Sequence, residues 1–118
     1  HGGRLFVVNC NAWPGSDFPM MYGSVEIFSQ AAMRQYKEHV DKCMEVLPWQ
    51  EWGEDYFLTR CMDQIDVGRI EDYQLVGDST CSGPQQSWNG DCNLGLLAAF
   101  HPFKEIETWS ACFDTAIR

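Results

Sequence analysis

The chain has no run of basic residues. Its eight lysines and arginines stand singly, at Arg4, Arg34, Lys37, Lys42, Arg60, Arg69, Lys104 and Arg118, against seventeen acids, and the net charge is −9. Nucleic acids and anionic membrane surfaces are held by clustered cations, so neither is an expected partner. No apolar stretch approaches the roughly 18 residues that a membrane span needs. There is no signal-peptide pattern, lipidation motif or Asn-x-Ser/Thr sequon, so any targeting signal is expected outside this segment. No Cys-x-x-Cys pair occurs, which argues against a zinc site. There is no Asp-x-Asp, no glycine-rich phosphate loop and no P-loop, so the residues that hold a sugar diphosphate or a nucleotide are missing. Internal repeats and low-complexity stretches are also absent.

What is present begins with six cysteines, Cys10, Cys43, Cys61, Cys81, Cys92 and Cys112, in 118 residues. An even set without metal-ligand spacing reads as disulfides, and disulfides imply an oxidising compartment: a secretory lumen, a cell surface or another lumenal space. At least two bridges are expected. Fifteen pairings are possible. A local Cys81–Cys92 bridge is the first expectation, because these residues bracket the most loop-like stretch. Cys43 and Cys61 fall on the apolar faces of helices and could instead be buried thiols.

A chain of this length buries one core and forms one domain or domain fragment. Leu5 to Val8 reads as a buried strand, Val25 to Phe28 and Tyr73 to Val76 as short strands, and Leu94 to Phe100 as a strand delivering His101. Residues 9–21 and 77–93 read as loops, the first broken by Pro14-Gly15 and Pro19. Ser29 is a good N-cap for a helix over about 30–46, with Met33, Tyr36, Val40, Cys43, Met44 and Leu47 as its apolar stripe and Pro48 ending it. A second helix is expected over about 54–66. A third, over about 104–116, is expected to bury Ile106, Trp109, Cys112 and Phe113. Strands alternating with helices give an α/β fold, with about three helices and a small mixed sheet of three or four strands.

Two features carry chemistry. Glu54 and Asp55 follow Gly53 and open the second helix, whose apolar face is Phe57, Leu58, Cys61, Met62 and Ile65. Acids in a first turn are favoured by unpaired N–H groups and the helix dipole, which is a sufficient structural reason for the pair. Their functional reading is general-base work. His101 ends an apolar run in Ala99-Phe100-His101-Pro102-Phe103-Lys104 and is either a packing histidine or a metal ligand. Trp49 and Trp52 flank the acidic pair and suit either core packing or stacking on a sugar face. Asp63 and Asp66 lie on the second helix, and Asp78 is expected in a loop. Two lesser patterns are His1-Gly2-Gly3, a possible copper-binding amine and imidazole, and Trp88-Asn89-Gly90-Asp91, which is similar in outline to the calcium motif of C-type lectins. The further landmarks of either class are missing.

Three segments in order, Tyr22 to Ala32, Glu54 to Cys61 and Phe100-His101, resemble the C-terminal half of inverting glycosyltransferases of the Fringe and core-1 β-1,3-galactosyltransferase type. They span about residues 20 to 104. The resemblance implies the acceptor-side half of a GT-A domain, with Asp55 as catalytic base, Glu54 beside it and His101 as ligand to a divalent metal such as manganese. Tyr22, Trp49 and Trp52 would meet the substrate. The implied reaction moves a hexose from a nucleotide sugar to a glycan or glycoprotein. Thr59 stands where the family has glycine, and Glu26 where it prefers an apolar or aromatic residue. The nucleotide-binding half is missing, so the chain is expected to be a fragment or a derived protein that kept one half; a first residue other than methionine agrees. The segment alone is then expected neither to bind nor to transfer a nucleotide sugar. The alternative is a non-catalytic subunit that takes protein partners within a larger assembly.

Overall fold

The structure, a computed structural model, describes residues 2–11, 19–78, 81, 90–93, 95 and 97–117. Over these residues it is a mixed α/β fold with three helices, two small parallel sheets and three disulfides. The elements run β1 (Leu5–Val8), α1 (Gln30–Val46), a 3-10 turn (Trp49–Glu51), α2 (Glu54–Gln64), β2 (Gly68–Glu71), β3 (Val76–Asp78), β4 (Ala99–His101) and α3 (Ile106–Ala116).

The helices stand where propensity and capping place them. Ser29 caps α1: its hydroxyl accepts from Ala32 N and also from Leu5 N, and donates to Gly3 O. One side chain thus satisfies the helix start and anchors it to β1. Helix α2 ends in a Schellman turn. Asp66 takes the left-handed conformation at φ 64°, and Val67 N reaches back to Met62 O. The Arg4 guanidinium holds that turn, bonding both the Asp66 carboxylate and its carbonyl.

Sheet pairing departs from expectation. Among the described residues the strands form two sheets and not one mixed sheet: β1 pairs with β2, and β3 with β4, both parallel. Strand β2 was not expected, because Gly68, Arg69 and Glu71 weaken a β pattern. The backbone of β1 recruits it, and Arg69 forks onto Asp63 at 2.9 and 2.6 Å while reaching Pro19 O. The expected strand at Val25 to Phe28 is only a single bridge, Phe28 to Phe6, with the two rings stacked. Tyr73 to Leu75 form a turn, so β3 starts later and takes in Gly77 and Asp78, which had read as loop. Strand β4 begins only at Ala99, with Ala98 in a bend before it.

The core lies between β1, α1 and α2 and is made of Phe6, Val8, Met21, Ala32, Cys43, Cys61, Met62, Ile65 and Val67. The disulfides correct the expected pairing. They join Cys10 to Cys81, Cys43 to Cys61 and Cys92 to Cys112. The Cys81–Cys92 bridge does not form. Cys43 and Cys61 are not thiols: they lie on the facing sides of α1 and α2, with Cα atoms 5.4 Å apart, so packing the two apolar stripes brings the sulfurs together.

Two expected stripes are less buried than periodicity implies. Met33 and Met44 of α1 are exposed, because β1 and α2 cover only the Ala32–Cys43 side. On α3, Ile106, Trp109, Phe113 and Ile117 are all exposed, Ile106 by 81%. The helix is tethered by Cys112, and no described element covers its apolar side.

Candidate functional site

Three positions sit at the C-terminal ends of parallel strands, where α/β sheets place their sites. Asn9 follows β1, Asp78 ends β3 and His101 ends β4. Buried Asn9 clamps the next chain segment: its Nδ2 donates to Val25 O at 2.8 Å and Tyr22 O at 3.3 Å, and its Oδ1 accepts from Tyr22 N at 2.8 Å. From the other side, Thr59 of α2 accepts from Met21 N and donates to Asp55 O. The Thr59 hydroxyl therefore ties α2 to residue 21. Between these clamps Tyr22 and Gly23 are held in place.

Gly23 is where the acidic pair meets this segment. Its N–H donates to Asp55 Oδ2 at 3.0 Å. A Cβ at this position would lie 3.3 Å from Asp55 Oδ2, a tight contact, and 3.4 Å from Glu54 Oε1, so a side chain would press on Asp55 and touch Glu54. The other Asp55 oxygen accepts from Tyr56 N at 2.8 Å. Two backbone donors thus fix one carboxylate at the start of α2, while the dipole favours its charge.

Tyr22 turns the other way. Its ring meets the His101 imidazole edge-on, with centroids 5.2 Å apart. Parallel pairing sets Asp78 beside His101, and Asp78 Oδ2 lies 3.0 Å from His101 Nδ1. The Asp78 side chain is fully buried and that of His101 is 29% exposed. A carboxylate only accepts, so Nδ1 carries the proton, and it is in the neutral ring that Nε2 presents a lone pair. Asp78 thereby orients the ring, a role invisible when the residue is read as loop. Its signal was the apolar Leu75-Val76 immediately before it.

The structure therefore links Asp55 and His101 through two adjacent residues, Gly23 and Tyr22. Trp49 and Trp52 lie elsewhere, with Glu54, around a cavity between α1 and the start of α2 that also takes in Tyr36 and Phe57. Trp52 packs edge-on against Tyr56, which leans with Tyr22 on the Cys10–Cys81 bridge. Trp88 and His1 lie outside the described residues.

Glu26 completes the acidic group. Its carboxyl is raised from the ordinary 4.5 to about 7. Partial burial is the largest cause, followed by a hydrogen bond with Glu54 and the charges of Glu54 and Asp55. The sign follows from proton counts. Between pH 4.5 and about 7 the folded chain holds a proton that the unfolded chain has lost, so this stabilisation is complete below 4.5 and disappears as pH rises through 7. Glu26→Gln should therefore gain melting temperature over the wild type at pH 8 and lose that advantage at pH 4.5. The difference should stay within about 1 kcal/mol, as for other exposed charges. Equal shifts at both pH values would remove Glu26 from the pair.

No protein-family model, curated protein or solved structure matches the chain.

Proposed function

We propose that this chain is the acceptor-side part of an inverting, metal-dependent glycosyltransferase of the secretory lumen, which moves a hexose from a nucleotide sugar to a glycan or glycoprotein. One observation carries the reading. The three segments of the family resemblance, far apart in sequence, meet at Tyr22 and Gly23: Gly23 N bonds Asp55, and the Tyr22 ring bears on His101. The three disulfides fit an oxidising lumen.

In this reading Asp55 takes the proton of an acceptor hydroxyl as that oxygen attacks the anomeric carbon from the face opposite the diphosphate, which inverts the centre. Its two N–H partners hold the carboxylate in place while the proton moves. His101 would hold a divalent cation such as manganese through Nε2. The Asp78–His101 pair fits that role, since ligating imidazoles donate their other N–H to a carboxylate or carbonyl. Such an ion, once bound, neutralises the charge of the departing diphosphate. One imidazole is a small share of a hard ion's shell, and no cluster of three ligand side chains occurs among the described residues. The other ligands would be phosphate oxygens and carboxylates outside this segment.

Manganese titration of the full-length protein with a nucleoside diphosphate tests this. Asp78→Asn should weaken manganese binding by about 10–100-fold without unfolding the chain. Unchanged affinity in both Asp78→Asn and His101→Ala would remove the metal role. The 118-residue segment alone should bind no uridine or guanosine diphosphate sugar; binding at micromolar concentration would place the nucleotide site within it.

A second reading, a non-catalytic assembly subunit, is favoured by α3. Its exposed Ile106, Trp109, Phe113 and Ile117 form one apolar stripe of the kind that partners cover.

A further inference from the structure

The cavity between α1 and α2 has a chemistry of its own. It encloses about 210 Å³, less than the roughly 300 Å³ at which drug-sized sites begin. Its walls include four aromatic rings, Tyr36, Trp49, Trp52 and Phe57, with Glu54 as the one charged group. Glu26 and Asp55 stand behind Glu54, and among the described residues no lysine, arginine or histidine forms an ion pair with any of the three. Ion pairs elsewhere do form, at Arg4–Asp66 and Arg69–Asp63. Among the described residues, therefore, no cationic side chain offsets the charge of Glu54 at the pocket.

We infer that this aromatic pocket, closed on one side by Glu54, binds a small alkylated ammonium ion of the choline type. Aromatic faces attract a cation whose methyl groups shed water easily, and a carboxylate beside them adds direct attraction. A pyranose fits this wall less well. Its several hydroxyls would enter a pocket with few polar groups, and each one left unpaired costs about 1–3 kcal/mol. A headgroup carrying its own phosphate would bring an anion against Glu26, Glu54 and Asp55. The free cation is thus the ligand that the charges select. Asp55 and His101 are not among the residues lining the cavity, whereas Glu54, Trp49 and Trp52, which the resemblance gave to the transferase site, are.

The test uses the oxidised chain and the indole N–H signals of Trp49 and Trp52, assigned through Trp49→Phe and Trp52→Phe. The probes are choline, its uncharged isostere 3,3-dimethylbutan-1-ol, phosphocholine and a methyl hexoside, at constant ionic strength. Choline should shift both indoles saturably, with Kd on the order of 1 mM. The uncharged isostere, phosphocholine and choline with Glu54→Gln should each bind at least ~5-fold more weakly, the share expected of one charge at a partly exposed site. Equal binding of the uncharged isostere would reduce the pocket to an apolar hollow and overturn the inference. Phosphocholine binding as tightly as choline would assign the pocket to a lipid headgroup, and binding by the hexoside alone would make it a sugar subsite. No saturable shift with choline would also overturn it. None of these outcomes bears on metal binding at His101, so the two readings fail separately.

Discussion

Replacing Cys10 and Cys81 together by alanine should lower stability by about 4 kcal/mol, the largest effect expected of any of the three bridges. The bridge closes a separation of 71 residues, against 18 for Cys43–Cys61 and 20 for Cys92–Cys112. Loop-closure entropy grows with the logarithm of that separation, so each shorter bridge is expected to contribute about 3 kcal/mol. Both sulfurs are buried, with Met20, Tyr22 and Tyr56 packed around them, so truncation also leaves a small void. A domain of this size has about 5–15 kcal/mol in total, so the loss is a large fraction of it. Denaturant unfolding should show a lower midpoint, and thermal unfolding a fall of about 12–20 °C. Tyr22 rests on this bridge, so the environment of His101 should change as well, which a shift of the His101 ring resonances would report. An unchanged midpoint would show that the bridge does not constrain the chain. Thiol counting on the denatured, unreduced protein supplies the control: no free thiols are expected, and four or more would remove the assignment to an oxidising compartment.

If the proposed transferase reading holds, Asp55→Asn in the full-length protein should reduce the rate of sugar transfer by about 10²–10⁴-fold, the usual contribution of a positioned general base. That corresponds to about 3–5 kcal/mol of transition-state stabilisation. The amide keeps the shape of the side chain and one acceptor oxygen for the Gly23 or Tyr56 N–H, so the fold and KM should be little changed while kcat falls. This pattern separates catalysis from capping. A carboxylate that only completes the first turn of α2 would, on substitution, lower stability by about 1 kcal/mol and leave kcat within a few-fold. A rate within tenfold of the wild type would therefore reduce Asp55 to its structural role, and the transferase reading would lose its base.

Local patterns in the sequence go far here. The strand at Leu5–Val8 and the three helices follow from runs of β-branched residues, from Ser29 as a cap and from Pro48 as a stop, signals that act within a few residues. The apolar face of α2 was legible in the same way, because one helix face repeats at fixed spacing. Strand β2 was not, since Gly68-Arg69-Ile70-Glu71 carries almost no β signal and pairs only because β1 offers it a parallel edge. Burial of α3 was misjudged for a related reason: periodicity marks an apolar side but does not say that anything packs against it.

The acidic pair, the histidine and the tryptophans were all visible as residues, and their arrangement was not. Which cysteine meets which, whether Asp78 lies in a loop or beside His101, and whether Trp49 stands near Asp55 or in a groove with Glu54 are long-range facts. They depend on how α1, α2 and the two sheets pack, and no single residue encodes that. The amino-acid sequence by itself determined the element types, the acidic surface and the need for disulfides, because these arise from short-range propensity and composition. Only the tertiary structure decided that Gly23 and Tyr22 join Asp55 to His101, because the bonds responsible, from Asn9, Thr59 and Asp78, cross 13 to 38 residues of intervening chain.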